Sequence, residues 1–186
     1  MFNKEKSCLV PGQANMIVRP GIVFYDLEWS DQQLLQIGAI SATKTFERTI
    51  LTNIHPNVTA KIFLQTCTGP DGRRQVRDCQ TGQFLPAVSL EEALKDFLMF
   101  LQEIYFSQGQ LYLVSHGSED IPILYSSFSE HNMDQHFLAR VTNFVNFQDY
   151  LKAHFPCLPP SLAALVRICL GPNSSYRLHT ALEDAR

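Results

Sequence analysis

Apolar runs alternate along the chain with polar, turn-forming segments, and this spacing predicts an α/β domain. Three short runs rich in β-branched and aromatic residues predict strands at residues 22–25, 36–40 and 46–51. Short polar loops join them, so an antiparallel meander is the simplest pairing. Residues 1–20 have no apolar block and are expected to form an N-terminal arm before a domain that covers 21–186.

The second half of the chain alternates between helix and strand patterns. Ser89 and Glu92 form a capping box at the start of a long amphipathic helix, and Gly109 ends it. The elements predicted after it are strands at 111–115 and 141–147 and helices at 121–128, 147–155 and 162–170. Three antiparallel strands followed by two strand–helix units predict a mixed five-stranded sheet, with two of its strands parallel and helices on both faces.

Residues 66–86 depart from this pattern. A strong turn signal at 68–72 precedes Arg73, Arg74 and Arg77, the densest basic cluster in the chain. The segment is interpreted as an exposed excursion or hairpin. A solvated loop is the simpler interpretation of the arginines, and a clamp for a nucleic-acid backbone is the functional one.

Composition narrows the classes of protein that fit. Of 186 residues, 45% are apolar and 18% charged, which is enough to fill a core. The net charge of −3 excludes a long basic nucleic-acid surface but not a small one. No apolar stretch approaches the roughly 18 residues of a membrane helix, and the first twenty residues do not resemble a secretory signal. We therefore expect no membrane contact.

The five cysteines are widely spaced and odd in number, which indicates reduced thiols in an intracellular protein of the cytoplasm or nucleus. Cys67 and Cys79 flank the turn-rich segment and could bind zinc together with a histidine. They lack CxxC spacing, which favours two ordinary thiols.

Acidic residues follow strands at three places. Asp26 and Glu28 end the first strand and point the same way, Asp120 follows the strand 111–115, and Asp184 lies near the chain end. Brought within about 4 Å, each pair of carboxylates would repel by about 4 kcal/mol at an effective dielectric of 20. The stretches 24–30, 115–124 and 179–185 around these acids contain no Lys or Arg, so Mg²⁺ or Mn²⁺ is the natural counter-charge.

In order and context, the three segments resemble the motifs of the DEDDh family of 3′–5′ exonucleases, which have an RNase H-like fold. They read FYDLEWS at 24–30, SHGSEDIPIL at 115–124, and SLAALVRICLG followed by HTALEDA at 161–171 and 179–185. Over a shorter stretch, VSLEEALKDFLMFL at 88–101 also resembles the exonuclease-like domain of the promyelocytic leukaemia protein, which is thought to be catalytically degenerate.

The first resemblance implies an enzyme that hydrolyses single-stranded DNA or RNA from the 3′ end and releases nucleoside 5′-monophosphates. It implies two Mg²⁺ or Mn²⁺ ions, with Asp26 between them and His179 as general base. The implied metal ligands are Asp26, Glu28, Asp120 and Asp184. Leu27 and Trp29 are candidates for contact with the terminal nucleotide, although Trp29 is equally explained as a core residue.

The sequence departs from the family pattern at three places, and two of them, Gly117 and the end of the last helix, together with the acidic net charge favour an alternative function. Trp29 replaces a small or hydroxyl residue, and Gly117 replaces a common Asn. The sequence ends two residues after Asp184, where the family's helix continues, so this helix is expected to be truncated and frayed. The alternative is a weak or inactive relative that binds nucleic acid or acts as a protein scaffold.

Overall fold

The computed structural model describes residues 19–31, 33–54, 59, 63–133, 137–139, 142–159, 161–171 and 180–185. The expected N-terminal arm, apart from Arg19 and Pro20, lies outside the described residues, and so does His179. The fold is a mixed α/β arrangement of a six-stranded sheet, a smaller three-stranded sheet and surrounding helices.

The large sheet contains the five predicted strands and one more. The strands are β1 Gly21–Ser30, β2 Gln33–Ser41, β3 Thr45–Ile50, β4 Leu64–Thr68, β5 Arg74–Asp78, β6 Phe84–Leu85, β7 Ala87–Val88, β8 Leu111–Ser115 and β9 Thr142–Asn146. The order in the large sheet is β7-β3-β2-β1-β8-β9. The antiparallel pairing of β1, β2 and β3 and the parallel pairing of β1, β8 and β9 confirm the expected meander and crossovers.

The predicted count of five strands is wrong because β7 pairs in parallel with the edge of β3. Only two residues long, β7 shows no apolar alternation that could reveal it. Its pairing continues in a hydrogen bond from the Leu51 N–H to the Val88 carbonyl at 2.8 Å. The chain is thus bound to β3 just before the long helix begins.

The helices begin and end near the predicted positions. They are α1 Leu90–Gln108, α2 Asp120–Glu130, α3 Phe147–His154, α4 Leu162–Leu170 and α5 Ala181–Ala185. Ser89 accepts a hydrogen bond from the Glu92 N–H at 3.2 Å, and Ser161 caps α4 in the same way. Gly109 ends α1 with a φ of 73°, which glycine adopts without strain. Within the described ranges, no helix has both the length and the apolarity needed to cross a membrane.

The two faces of the large sheet are covered by different helices. Val23, Tyr25 and Leu27 of β1 point to one side and form the main core with the apolar faces of α1 and α2. The intervening residues of β1 point to the other side, where α5 packs against β1 and β2. The expectation of helices on both faces is confirmed.

The segment 66–86 forms part of a small antiparallel sheet in the order β4-β5-β6. It therefore contains the hairpin suggested by the sequence, together with a third strand and a small core of its own. That core consists of Leu35, Ile54, Leu64 and Val76. The three arginines are exposed, as the solvated interpretation expects, although Arg74 and Arg77 lie on β5 rather than in a loop. Thr66 also fixes β4 by bonding to the Thr52 carbonyl and the Ile54 N–H.

Cys67 and Cys79 are free thiols, as are the other two cysteines in the described part of the chain. Neither belongs to a group of potential metal ligands among the residues that the structure describes.

Candidate metal centre

The first two candidate ligands come from the face of β1 that is opposite the main core. Asp26 of β1 pairs with Gly38 of β2, and Glu28 pairs with Gln36. Directly paired residues of antiparallel strands face the same side of the sheet, so all four positions share this face. Glu28 is only 9% exposed. As the D-x-E spacing predicts, the alternation of the strand places both carboxyl groups toward α5.

The third candidate ligand, Asp184, reaches the same place from the other end of the chain. One carboxylate oxygen each from Asp26, Glu28 and Asp184 lies within 4.8 Å of the other two. This is the convergence that the sequence motifs predict for these three residues. Asp184 lies in the single turn of α5, where its N–H donates to the Thr180 carbonyl at 2.9 Å.

The position of α5 depends on Gly38 and Gln36 of β2, which belong to none of the three sequence motifs. A Cβ atom at Gly38 would lie 2.1 Å from the carbonyl carbon of Ala181, so the helix backbone rests directly on the strand. The Gln36 side chain, 2% exposed, accepts a hydrogen bond from the Ala181 N–H at 2.9 Å. A glycine inside a strand does signal close approach of another backbone, but no sequence pattern marks Gln36.

Burial and repulsion raise the pKa of both strand carboxyl groups. The pKa of Asp26 rises from its ordinary 3.8 to about 9, mainly through burial and then through Asp120, Glu28 and Asp184. The pKa of Glu28 rises from 4.5 to about 8, again mainly through burial and then through Asp184 and Asp120. The ion pairs formed among the described residues include neither group. Ionising both groups would bring negative charges close together, and a bound cation would neutralise them.

Asp120, the fourth predicted ligand, lies close to this group but belongs to a different element, the start of α2. It is the first residue of α2, is 8% exposed, and raises the pKa of both Asp26 and Glu28 by repulsion. Burial raises its own pKa to about 6, while a hydrogen bond from Trp29 opposes that rise. Asp120 is not among the three residues whose oxygens lie within 4.8 Å of one another.

An irregularity in strand pairing lies beside these residues. Glu28 pairs with Gln36 but Trp29 pairs with Leu34, so Leu35 is an extra residue on β2. Leu34 packs in the main core and Leu35 packs in the core of the small sheet. The bulge therefore lets one strand contribute to both cores next to Glu28.

The predicted nucleotide-contacting residues of β1 are placed mainly in the core. Leu27 is 4% exposed and points to the side opposite Asp26 and Glu28, a placement that does not favour nucleotide contact. Trp29 packs partly buried against the main core and bonds to Asp120. The packing interpretation of Trp29 is confirmed, and stacking on a base stays a prediction.

The second motif has its own local structure. Gly117 has a φ of 118°, which favours glycine, and its N–H donates to the Asn146 side chain at 3.1 Å. Asn146 also caps α3 by accepting from the Gln148 N–H. The loop before Asp120 is thus attached to the end of β9. Of the predicted basic residues, Arg74 and Arg77 lie on β5 of the small sheet and Arg73 lies in the turn before it, and all three are exposed.

This arrangement of carboxyl groups has the chemistry of a site for a hard divalent cation. Three acidic side chains supply oxygen ligands, burial limits access of water, and the described ion pairs leave Asp26 and Glu28 without a basic partner. No model of a known protein family matches the chain, and no curated protein matches it. The site must therefore be interpreted from its own geometry.

Proposed function

We propose that this protein is a metal-dependent 3′–5′ exonuclease with an RNase H-like fold. It acts on the 3′ ends of single-stranded DNA or RNA and releases nucleoside 5′-monophosphates in an intracellular, reducing compartment. The observation that carries the proposal is the convergence of Asp26, Glu28 and Asp184, whose carboxylate oxygens lie within 4.8 Å of one another.

The sheet topology supports this choice of fold. An antiparallel β1-β2-β3 meander continues into the parallel strands β8 and β9, and helices cover both faces. The motif residues lie at the end of β1, after β8 and in α5, which are the contexts expected for the three motifs. One fold can carry many activities, so the proposed activity depends on the residues of the site.

The residues present fit Mg²⁺ or Mn²⁺, and two ions are proposed. Asp26, Glu28 and Asp184 would hold them, and Asp120 would complete the set from the start of α2. When bound, such ions activate a water molecule and stabilise the leaving 3′ oxygen of the phosphodiester.

The chain's own residues have separate tasks in the proposed reaction. The carboxylates would hold the ions beside the scissile phosphate. Trp29 donates to Asp120 and favours its ionised form. His179, which lies outside the described residues, is proposed to accept the proton of the attacking water, as a histidine of ordinary pKa can do near neutral pH.

A degradation assay tests the proposal. A 5′-labelled single strand is incubated with Mg²⁺ or Mn²⁺ and with wild-type, Asp26→Asn, His179→Ala or Glu103→Gln protein. Glu103 lies on α1, and its side chain is 60% exposed, so it is the matched control for an acidic substitution. We expect stepwise shortening by wild type and Glu103→Gln, none by Asp26→Asn, and a rate reduced by about 10²–10⁴-fold in His179→Ala. Equal degradation by all four proteins would identify a contaminant.

One observation favours a second candidate, a catalytically inactive relative that binds nucleic acid or partner proteins. Asp120 is not among the three residues whose carboxylate oxygens lie within 4.8 Å of one another. This candidate predicts binding that a chelator does not change, together with no turnover in either metal. Metal-dependent shortening that Asp26→Asn abolishes would eliminate it.

A further inference from the structure

The face of β1 that carries the carboxylates continues into an exposed apolar end. Phe24 lies two residues before Asp26, so strand alternation places both side chains on this face. Phe24 is 43% exposed, although β1 is an inner strand flanked by β2 and β8. Two residues along a strand span about 7 Å. Phe24 is therefore an open aromatic ring beside the acidic centre, on the same strand and the same face.

Neighbouring aromatic residues hold one side of the Phe24 ring. Its centroid lies 6.5 Å from that of Phe147, at the start of α3, and the two ring planes are nearly perpendicular. Phe147 in turn stacks against Tyr150, whose ring centroid lies 4.5 Å from that of His154. Perpendicular and offset ring pairs are favourable arrangements. The contacts with α3 therefore fix the Phe24 ring while leaving much of its surface open.

Phe24 also lines a groove of about 550 Å³. Ile22 and Ile40 line it too, and Ile40 is the residue of β2 that pairs with Phe24. Arg19, another lining residue, is exposed and forms none of the ion pairs found among the described residues. A volume of this size accepts a small ligand, and these walls suit one that is flat and apolar but carries negative charge nearby.

We propose that Phe24 stacks under the base of the nucleotide whose phosphate lies at the carboxylates. The proposal rests on the proposed function, since it concerns how the same site holds its substrate. A single-stranded end is the favoured ligand because its bases are free to stack on an aromatic ring, whereas those of a duplex are paired with one another. A protein partner could cover Ile22 and Ile40, but its binding would not require a nucleic-acid base.

Binding is measured separately from hydrolysis, by fluorescence anisotropy with Ca²⁺ in place of Mg²⁺ and with phosphorothioate linkages in the labelled strands. Two single strands of about twelve nucleotides are compared, one complete and one that lacks the bases of its two 3′-terminal nucleotides. We expect wild type to bind the complete strand at least about fivefold more tightly. Phe24→Leu, which stays apolar but cannot stack, should lose this preference. Phe24→Tyr, which keeps the ring, should retain it.

The matched control is Phe106→Leu. Phe106 is 78% exposed on α1, which covers the opposite face of the sheet, so this variant should keep the wild-type preference. The proposal is overturned if wild type binds neither strand or binds both equally. It is also overturned if Phe24→Leu keeps the preference, or if Phe24→Tyr or Phe106→Leu loses it as fully as Phe24→Leu does.

The same strands without phosphorothioate linkages separate this proposal from the hydrolytic one. A base preference that depends on Phe24, without cleavage in Mg²⁺ or Mn²⁺, would leave the stacking proposal standing and remove the hydrolytic one. Metal-dependent cleavage together with equal binding of the complete and abasic strands would do the reverse.

Discussion

At Gly38 the absence of a side chain decides where a distant helix can lie. The backbone of Ala181 and Leu182 occupies the space that a Cβ would fill, with both Ala181 C and Leu182 N at 2.1 Å. These atoms belong to backbone and cannot turn aside as a flexible side chain can. Because Gly38 has no side chain, α5 can lie against β2, and this position brings Asp184 close to Asp26 and Glu28.

We expect Gly38→Ala to displace α5 and to weaken metal binding at the three carboxylates by at least about tenfold. Overpacking of this kind costs about 1–3 kcal/mol in the free energy of unfolding. Isothermal titration with Mn²⁺ and urea unfolding measure the two effects. Gly69→Ala is the control, because its Cβ would meet only the flexible end of the Gln75 side chain. Unchanged Mn²⁺ affinity in Gly38→Ala would contradict this role of Gly38.

At the scale of elements, α5 is a five-residue helix held by the sheet rather than by its own length. Isolated helices of this length are not stable in water, so its position must come from packing and from specific bonds. Ala181 and Ala185 are buried, and Gln36 connects the start of α5 to Thr49 and Glu47 of β3. Gln36 thereby joins the helix that carries Asp184 to the interior of the sheet.

We expect Gln36→Met to lower the free energy of unfolding by about 1–3 kcal/mol, because it leaves the buried Ala181 N–H and the Thr49 hydroxyl without their partner. Urea unfolding gives this value. The same substitution at Gln33, which is exposed on the same strand, should have little effect. Equal effects at the two positions would show that α5 does not depend on this hydrogen bond.

Most elements of the large sheet follow from periodicity, but two features do not. The strands β1, β2 and β8 and the capped helices α1 and α4 lie where the apolar pattern and cap residues predict them. The two-residue strand β7 and the bulge at Leu35 have no periodic signal, because each depends on a pairing partner distant in sequence. The contact of α5 with Gly38 and Gln36 likewise joins residues far apart in sequence. The D-x-E motif is local, so it predicts Asp26 and Glu28 but not this contact.

For the whole molecule, the buried acidic centre connects folding to pH. Both Asp26 and Glu28 have pKa values that are raised in the folded state, to about 9 and about 8. In metal-free protein the folded state then holds protons that the unfolded chain has already released. Such groups contribute stability that is fully present below their ordinary pKa values and is lost as the pH rises through the raised ones.

We therefore expect the metal-free protein to lose stability as pH rises from about 5 to about 9, and Mn²⁺ to restore it at high pH by binding the ionised carboxylates. Thermal unfolding across this range, with chelator or with Mn²⁺, measures the effect. Asp26→Asn, which is uncharged at every pH, should have a flatter profile. A wild-type profile as flat as that of Asp26→Asn, or one that rises with pH, would contradict the account.

The most direct test of the central claim is a Mn²⁺ titration of the purified protein, followed by the electron paramagnetic resonance signal of the free ion. We expect wild type and Glu103→Gln to remove Mn²⁺ from solution with the same affinity. Asp26→Asn, Glu28→Gln and Asp184→Asn should each weaken it by at least about tenfold, since each removes one charged ligand. No Mn²⁺ binding by wild type, or equal affinity in all five proteins, would show that the three carboxylates do not form a metal centre.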